Sequence, residues 1–328
     1  MKVLVTGGAG YIGSHTVKNL LRRGHEVVIF DNFSSGRREL VAGGRVVRGD
    51  VLDRRALDKV LGRGGFEAVL HFASLIQVGE SFRDPAKYYV QNVGGSLNLL
   101  EAMRRAGVNR FIFSSSAAVY GSPLRTPITE DHPLAPANPY GQTKFFVENM
   151  LQECGRAYGL KFISLRYFNA SGADPEGELG EMHDPETHLI PNILLAALGR
   201  RTELEVFGAD FETPDGTAVR DYIHVSDLAE AHVLALDRLA QGAESDVINL
   251  GSSRGYSVLE VIRRSEEITG RPIPYRVSPR RAGDVAVLLA SKDKAEHVLG
   301  WTLRHSDLQT ILATAWRWHQ KTSRTSNP

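Results

Sequence analysis

Residues 6–15 read TGGAGYIGSH, directly after the apolar run MKVLV and overlapping a stretch with helical spacing, SHTVKNLLRRG (14–24). That junction constrains the fold more than any other part of the chain. Glycines at 7, 10 and 13, with Gly8 offering a second series, mark a turn in which backbone must come close to whatever lies beside it. A strand that turns through such a loop straight into a helix presents bare N–H groups and the positive end of the helix dipole at one spot. The context, strand then glycines then helix, is the one a dinucleotide-binding loop needs, and it calls for a parallel sheet beside it.

The first half of the chain continues the alternation. EVVIFDN (26–32), RVVRGDV (45–51), FEAVLHFAS (66–74), NRFIFSSSAAVYG (109–121) and KFISLRYFN (161–169) are apolar, β-branched runs expected as strands. RRALDKVLG (54–62), NVGGSLNLLEAMRRAG (92–107) and YGQTKFFVENMLQECGRAYG (140–159) are expected as helices. This spacing predicts an α/β fold with a doubly wound parallel sheet. After Asn169 the alternation breaks down. Residues 170–188, rich in Gly, Asp, Glu and Pro, read as a long loop; a helix at 189–199, a strand near 204–207 and a loop at 209–217 follow. VSDLAEAHVLALDRL (225–239) lines Leu228, Ala231, His232, Ala235, Leu236 and Leu239 along one side, and Ser257 with Glu260 reads as a capping box. The expected division is a nucleotide-binding domain over 1–169, rejoined by segments near 218–250, and a smaller α/β substrate domain over 170–328.

Composition removes several classes of function. Formal net charge is +1 and no Lys/Arg block stands out, so neither nucleic acid nor a membrane surface is an expected partner. The single cysteine, Cys154, excludes an intrachain disulfide framework and a cysteine-rich metal site, and no metal is expected. No run of about 18 apolar residues marks a membrane span. With the first strand beginning at Met1 there is no room for a leader, and a cytoplasmic location is expected.

Asp31 ends the second strand, 21 positions beyond Gly10. A carboxylate there binds both ribose hydroxyls of an adenosine and repels a 2′-phosphate, which favours NAD over NADP; Arg37 and Arg38 close by keep the phosphorylated form open. Asp50 and Val51, after the third strand, are placed to flank the adenine, although Asp50 reads equally well as a turn residue.

Ser114, Ser115 and Ser116 stand at the carboxyl end of the fifth strand, where ligands bind in open α/β sheets. Tyr140 and Lys144 follow in NPYGQTK, one helical turn apart on one face. A free phenol has a pKa of about 10 and is a poor base near neutrality. An adjacent ammonium and a positive nicotinamide both favour phenolate. Such a phenolate can take a proton from an alcohol as its hydride leaves, with Ser116 donating to or shuttling from the same oxygen.

TGGAGYIGSH, HFAS, SSSAAVYG, PYGQTK, RYFNASGA and VRDYIH, in this order from Met1 to about residue 318, resemble the extended short-chain dehydrogenase/reductase family and, within it, the UDP-glucose 4-epimerases. The resemblance implies a Rossmann-type domain with a smaller sugar-nucleotide domain, and NAD retained through turnover. It implies cofactor contacts from Gly7, Gly10, Tyr11, Ile12, Gly13, Asp31, Asn32, Asp50, Val51, Phe72, Ala73, Ser74, Gln91, Ser114, Tyr140 and Lys144, with Tyr167 and Phe168 near nicotinamide or sugar or else in the core. Tyr140 would take the 4-hydroxyl proton while the C4 hydride moves to NAD. The 4-keto sugar would then turn about its phosphate linkage and receive the hydride on its other face, interconverting UDP-glucose and UDP-galactose. On the substrate side it implies Ser116 and Tyr140 at the sugar, Asn169 and His188 at the UDP, Phe207 at the uracil, Arg220 and Arg281 at the diphosphate, and Tyr222 and Asp284 holding the nucleotide. Either arginine reads equally as a surface or interdomain ion pair.

Two positions depart from the family pattern. Ile76 stands where many members carry a lysine after the HFA motif, and Gln91-Asn92 replaces Asn-Asn, leaving open which side chain reaches the site. By the same resemblance Leu288 occupies the position that gates the sugar pocket; intermediate between tyrosine and a small residue, it leaves UDP-GlcNAc and UDP-GalNAc open as secondary substrates, and the sequence does not fix whether a UDP-pentose is accepted. A dehydratase or decarboxylase needs carboxylates just after the strand-five hydroxyl, where Ala117 and Ala118 stand. A non-catalytic NAD-binding regulator has no need of the tyrosine and lysine that are present. A homodimer is the family expectation, pairing helices near 92–106 and 141–157 through residues such as Leu97, Leu100, Phe145 and Met150.

Overall fold

A computed structural model describes residues 1–62, 64–281 and 283–325. Strand β1 (Lys2–Thr6) stops at Gly7, whose φ is +74°, and α1 (Tyr11–Arg22) begins three residues earlier than its spacing indicates. Then come β2 (Glu26–Asp31), β3 (Arg45–Arg48), α2 (Arg54–Gly62) and β4 (Ala68–His71). Two short helices, α3 (Val78–Arg83) and α4 (Pro85–Tyr88), were not legible in the sequence; a wide-turned stretch, Tyr89–Gly94, joins them to α5 (Gly95–Ala106). β5 (Arg110–Ser114), α6 (Pro139–Tyr158) and β6 (Lys161–Arg166) complete the first half.

The expected sixth strand is two. β6 ends at Arg166, and Asn169 opens β7 (Asn169–Ser171), which belongs to another sheet. The chain crosses between sheets here because the Tyr167 carbonyl is taken by Ala117 N–H at 2.9 Å instead of by a sheet neighbour. Likewise the run 109–121 is strand only to Ser114; residues 117–120 form a 3-10 turn capped by Ser116. The second half supplies α7 (Leu189–Ala197), β8 (Leu204–Phe207), β9 (Val219–His224), α8 (Val225–Ala240), β10 (Asp246–Asn249), β11 (Gly255–Ser257), α9 (Val258–Thr269), β12 (Tyr275–Ser278), β13 (Val287–Leu288), α10 (Asp293–Leu299) and α11 (Leu308–Thr325). Ser257 does cap α9, its hydroxyl accepting from Glu260 N–H at 3.0 Å.

Seven parallel strands lie in the order β3-β2-β1-β4-β5-β6-β10. The period of two sorts their side chains. Val3, Val5, Val27 and Ile29 face a core shared with α1 and α8; Leu4, Val28 and Phe30 face one shared with α2, α5 and α6. Fully burying each such side chain contributes about 1.5–3 kcal/mol, so both faces are held as firmly as a sheet allows. The strand order reverses at β1, which places a crevice between the carboxyl ends of β1 and β4.

Of the later segments, β9 stays in a small sheet with β7, β11 and β13, while α8 packs on α1 and β10 extends the large sheet beside β6. β8 pairs with β12, and α7, α9 and α11 close a third apolar cluster over them. Among the described residues no helix is long and apolar enough to cross a membrane.

Candidate functional site

The glycine loop lies flat on the tip of β4. A Cβ on Gly7 would sit 2.5 Å from Ala73 N, and one on Gly13 would sit 2.2 Å from the Gly7 carbonyl oxygen. Both contacts are backbone to backbone, so neither position can accept a side chain without moving the start of α1. The N–H groups of that first turn, at Tyr11 and Ile12, are ones an α-helix leaves without an intrahelical partner, and Phe72 and Ala73 stand against Gly7 of the loop before it. Tyr11 reaches the other way, its hydroxyl donating to the Gly172 carbonyl at 2.6 Å.

Asp31 is buried at the end of β2 and accepts from Ala9 N–H at 3.0 Å and Phe33 N–H at 2.8 Å. Burial pushes its carboxyl up, against the pull of those two donors. Asn32 donates to Asp50 at 2.8 Å, and Asp50 also closes its own turn through Leu52 N–H at 2.8 Å. Val51 turns into the apolar core with Phe30 and Leu99, which leaves only its backbone for a ligand. Arg37 and Arg38 are engaged elsewhere. The first donates to the Met182 carbonyl at 3.3 Å and lies 3.7 Å from Asp184, and the second stacks over Phe33.

At the end of β4, His71 bridges Thr6 (2.7 Å) and Ser96 (3.0 Å). Ser96 already donates to the Asn92 carbonyl at 2.6 Å, so it accepts from His71 Nε2–H, and Nδ1 accepts from Thr6. Burial holds this imidazole neutral, at about 3, with Lys144 adding to the effect. Of the pair Gln91-Asn92, Asn92 is the side chain turned into the protein. It is buried and brackets Leu75 with both amide atoms, at 2.8 and 3.1 Å, while donating to Thr143 at 3.0 Å. Gln91, the expected cofactor contact, is half-buried in the wide-turned stretch 89–94. Ile76 is exposed.

Tyr140 is placed by the start of α6. Asn138 caps the helix, accepting from Gly141 N–H at 2.8 Å, and Pro139 takes the first position. A Cβ on Gly141 would lie 2.6 Å from the Ala118 carbonyl oxygen, so only glycine lets the helix close on the turn that carries Ser116. Lys144 is buried and donates to the Ser114 carbonyl at 2.8 Å, 5.8 Å from the centre of the Tyr140 ring. The Ser114 hydroxyl is hydrogen-bonded to Tyr167, and burial raises the pKa of that second phenol as well.

Burial pushes the Tyr140 phenol up, and the opposing pull comes from hydrogen bonding with Ser116 rather than from Lys144. The lysine is itself pulled down to about 7 by burial, with Glu148 opposing. The spacing put ammonium and phenol on one face, but the ammonium turns to the Ser114 carbonyl.

Behind this group lies a polar network that the sequence reading missed. Glu148 and Arg166, both buried, form a two-pronged pair; Ser115 donates to Glu148 at 2.6 Å, and Arg166 donates to Tyr120 at 2.9 Å. Tyr120 in turn donates to Asn249 at 2.7 Å. An acid one turn after Lys144 was the available signal.

On the far side of the crevice, Phe168 and Leu288 pack with Ala117 and Tyr120. Phe207, Arg220, Arg281 and Asp284 come together: Arg281 stacks over Phe207 at 4.8 Å and donates to Asp284 at 2.9 Å, and Arg220 reaches the same carboxylate at 3.8 Å. Arg220 also donates to the Val219 and Val285 carbonyls, each at 2.9 Å, and is largely buried. Asn169 donates to the Asp221 carbonyl at 2.8 Å. Tyr222, expected at the nucleotide, belongs to the apolar cluster of α7, α9 and α11 because the alternation of β9 turns it inward. His188 stands at the N-terminus of α7 with Nδ1 bonded to Glu181; the acids Glu181 and Glu186 raise it to about 9 against burial.

Residues 3–251 match the model of the NAD dependent epimerase/dehydratase family. The UDP-glucose 4-epimerase of Rhizobium leguminosarum bv. trifolii is 51% identical over 321 residues, 98% of each chain. The crystal structure of UDP-glucose 4-epimerase from Brucella ovis in complex with NAD is 51% identical, with a TM-score of 0.94 over 96% of this chain and 97% of that one. The Bifidobacterium longum UDP-glucose 4-epimerase in complex with NAD+ and UDP is 40% identical, with a TM-score of 0.94 over 98% and 99%. Glycine loop, crevice and sequence agree, and the chain belongs to the NAD dependent epimerase/dehydratase family.

Proposed function

We propose that this chain interconverts UDP-glucose and UDP-galactose by inverting C4 of the sugar. What supports this most is the meeting of Tyr140, Ser116 and Lys144 at the carboxyl end of β5 against a wall, Ala117-Ala118, that carries no acid. A dehydratase needs a carboxylate on that wall to expel water. The nearby Glu148 is bound to Arg166 and Ser115.

NAD suits the residues present. The loop that excludes a Cβ at Gly7 and Gly13 leaves backbone donors for a pyrophosphate, and Asp31 is the anion that accepts ribose hydroxyls and repels a 2′-phosphate. Held there, NAD would supply a reversible hydride acceptor for C4 of the sugar. Tyr140 takes and returns the O4 proton. Its phenol needs added positive charge to become acidic, since burial raises it and Lys144 is turned to Ser114. Ser116 shares its hydrogen bonding. On this reading the part built on the seven-stranded sheet, with α8 and β10, takes the dinucleotide, and the segments from 170 onward take the UDP.

Phe207, Arg220, Arg281 and Asp284 hold uracil and diphosphate, with Asn169 and His188 beside them. Firm hold on this handle, with few polar contacts to the hexose, keeps the 4-keto sugar bound while it turns. Leu288, half-buried between Phe168 and Ala117, leaves more room than a tyrosine would, and UDP-GlcNAc is a secondary substrate. The active form is a homodimer joined through α5 and α6. Leu97, Val90 and Phe146 are exposed on that surface, whereas Leu100 is core and Phe145 and Met150 are half-buried. Light scattering is expected to give twice 36.1 kDa.

The test is incubation of purified protein with UDP-galactose and, separately, UDP-GlcNAc, without added NAD, followed by chromatography of the products. UDP-glucose is expected from the first and slower conversion of the second. Tyr140→Phe should retain dinucleotide and lose about 10²–10⁴-fold in rate. No product from UDP-galactose ends this reading, and a near-normal rate in the variant moves the base elsewhere.

A further inference from the structure

The loop between β7 and α7 carries Glu181, His183, Glu186 and His188, of which the fold and the proposed chemistry use only the last. We propose that these four side chains bind one divalent transition-metal ion, zinc being the best chemical match, as a structural site that pins the loop against the glycine-loop helix. The sequence reading expected no metal, having looked for cysteines.

The donors already converge. His183 Nδ1 lies 2.8 Å from Glu181 Oε1, and His188 Nδ1 is bonded to the same oxygen. Glu186 stands across from them, 4.0 Å from His183 Nδ1 and 3.7 Å from His188 Nδ1. One ligand atom from each of the four lies within 4.8 Å of the others. Zinc–ligand bonds of about 2.0–2.2 Å place tetrahedral donors roughly 3.3 Å apart. The distances from Nδ1 of His183 to Glu181 and Glu186 fall either side of that figure. Two imidazoles and two carboxylates, with no thiol, suit zinc and its first-row neighbours rather than calcium or magnesium.

Charge supports the same assignment. A second acidic group nearby, Asp174, Glu176 and Glu178, is filled by the chain's own cation: Lys18 Nζ sits 2.7, 3.0 and 2.8 Å from the three carboxylates. Among the described residues, Glu181 and Glu186 have only the two histidines as ion-pair partners. In the metal-free chain the raised His188 supplies the positive charge beside these acids; a divalent ion would take its place, releasing that proton as the imidazole coordinates.

Further contacts tie the four residues to the rest of the fold. Trp318 Nε1 donates to the Glu181 carbonyl at 3.0 Å. Glu186 Oε1 accepts from Thr187 and His188 N–H at 2.7 and 2.8 Å. The Tyr11 ring meets His183 edge-on at 6.2 Å, which links the ion to the first turn of α1. Coordination through Nδ1 leaves Nε2 of His188 for the nucleotide, a clause that rests on the function proposed above.

The experiment uses full-length, tag-free protein stripped with EDTA. Zn²⁺ is titrated against a chromophoric chelator, and the thermal midpoint is followed with and without Zn²⁺. One equivalent is expected to bind and to raise the midpoint in proportion to log free metal. His183→Ala and Glu186→Gln should each weaken binding at least about tenfold and abolish that rise. No saturable equivalent, or one that survives both substitutions, overturns the site. Should the variants fail to fold, X-ray absorption at the zinc edge of the loaded wild type decides: two imidazoles with oxygen support the site, and a shell without imidazole overturns it. None of these readouts depends on turnover, so they fail or succeed separately from the epimerase assignment.

Discussion

Glu148 stands one turn beyond Lys144, pairs with the buried Arg166 and acts on Lys144 through its charge. It is the charge that opposes the depression of Lys144, and it is the paired anion of Arg166. Glu148→Gln would leave a buried guanidinium without its counterion, which costs about 3–5 kcal/mol. Chemical denaturation should show that loss, and the double variant Glu148→Gln/Arg166→Gln should recover part of it. The same change removes the group that raises Lys144, so any alkaline limb of the rate profile set by this lysine should move to lower pH. An unmoved profile with lost stability would make Glu148 a purely structural residue. Here the spacing of Tyr140 and Lys144 was legible because a helix places i and i+4 on one face. The direction of each polar tip was not, since Ser114, Ser116 and Glu148 settle it from three separate places in the chain.

At the scale of elements, the glycine loop shows two different uses of one residue type. Gly13 is required by contact, its absent Cβ lying 2.2 Å from the Gly7 carbonyl oxygen. Gly24 is required only by its backbone, with φ at +78° and nothing within 4 Å of a Cβ. Gly13→Ala should displace the first turn of α1, lower the thermal midpoint and abolish retention of dinucleotide through purification. Gly24→Ala should cost roughly 1–2 kcal/mol of conformational strain and leave the dinucleotide bound. Equal behaviour of the two variants would show that the loop tolerates a methyl group. The loop was legible because its signal is local: strand, glycines, helix. Other elements were misjudged where a distant partner ends them. The 109–121 run stops being strand at Ser114, and the 161–169 run changes sheets after Arg166, because neighbouring backbone takes up the next hydrogen bonds.

Over the whole molecule, burial lowers several histidines, His25 and His319 among them, and it moves four of them furthest. Burial lowers His15 and His232 to about 4 and His71 and His224 to about 3, from an unfolded value near 6.5. Below pH 6.5 the unfolded chain binds protons that the folded chain refuses, so stability rises with pH across this window. The contribution is complete above about 6.5 and is lost as pH falls towards 4 and 3. Asp221, pushed up to about 6 by burial, and the raised carboxyls of Asp31, Glu130 and Glu186 work the other way, while the lowered carboxyls of Asp174, Glu181 and Asp215 act in the same direction as the imidazoles. The thermal midpoint should therefore fall steadily from pH 7 to pH 4, and His232→Gln should flatten that slope. A midpoint independent of pH over the range would mean that these rings are hydrated in solution.

Some properties of this protein follow from residues close together in the chain. The doubly wound sheet, the glycine loop, Asp31 at the end of β2 and the Tyr140–Lys144 face rest on strand and helix periods and on the chemistry of a single turn, and neighbours in sequence are enough to specify them. The tertiary structure alone decided that Asn92 and not Gln91 turns inward, that Tyr222 is core, that Lys144 faces a carbonyl, and that Glu148 meets Arg166. Each of these depends on which distant group offers the competing hydrogen bond, counter-charge or apolar surface, and a buried polar atom takes the partner that packing brings within about 3 Å, wherever in the sequence that partner lies.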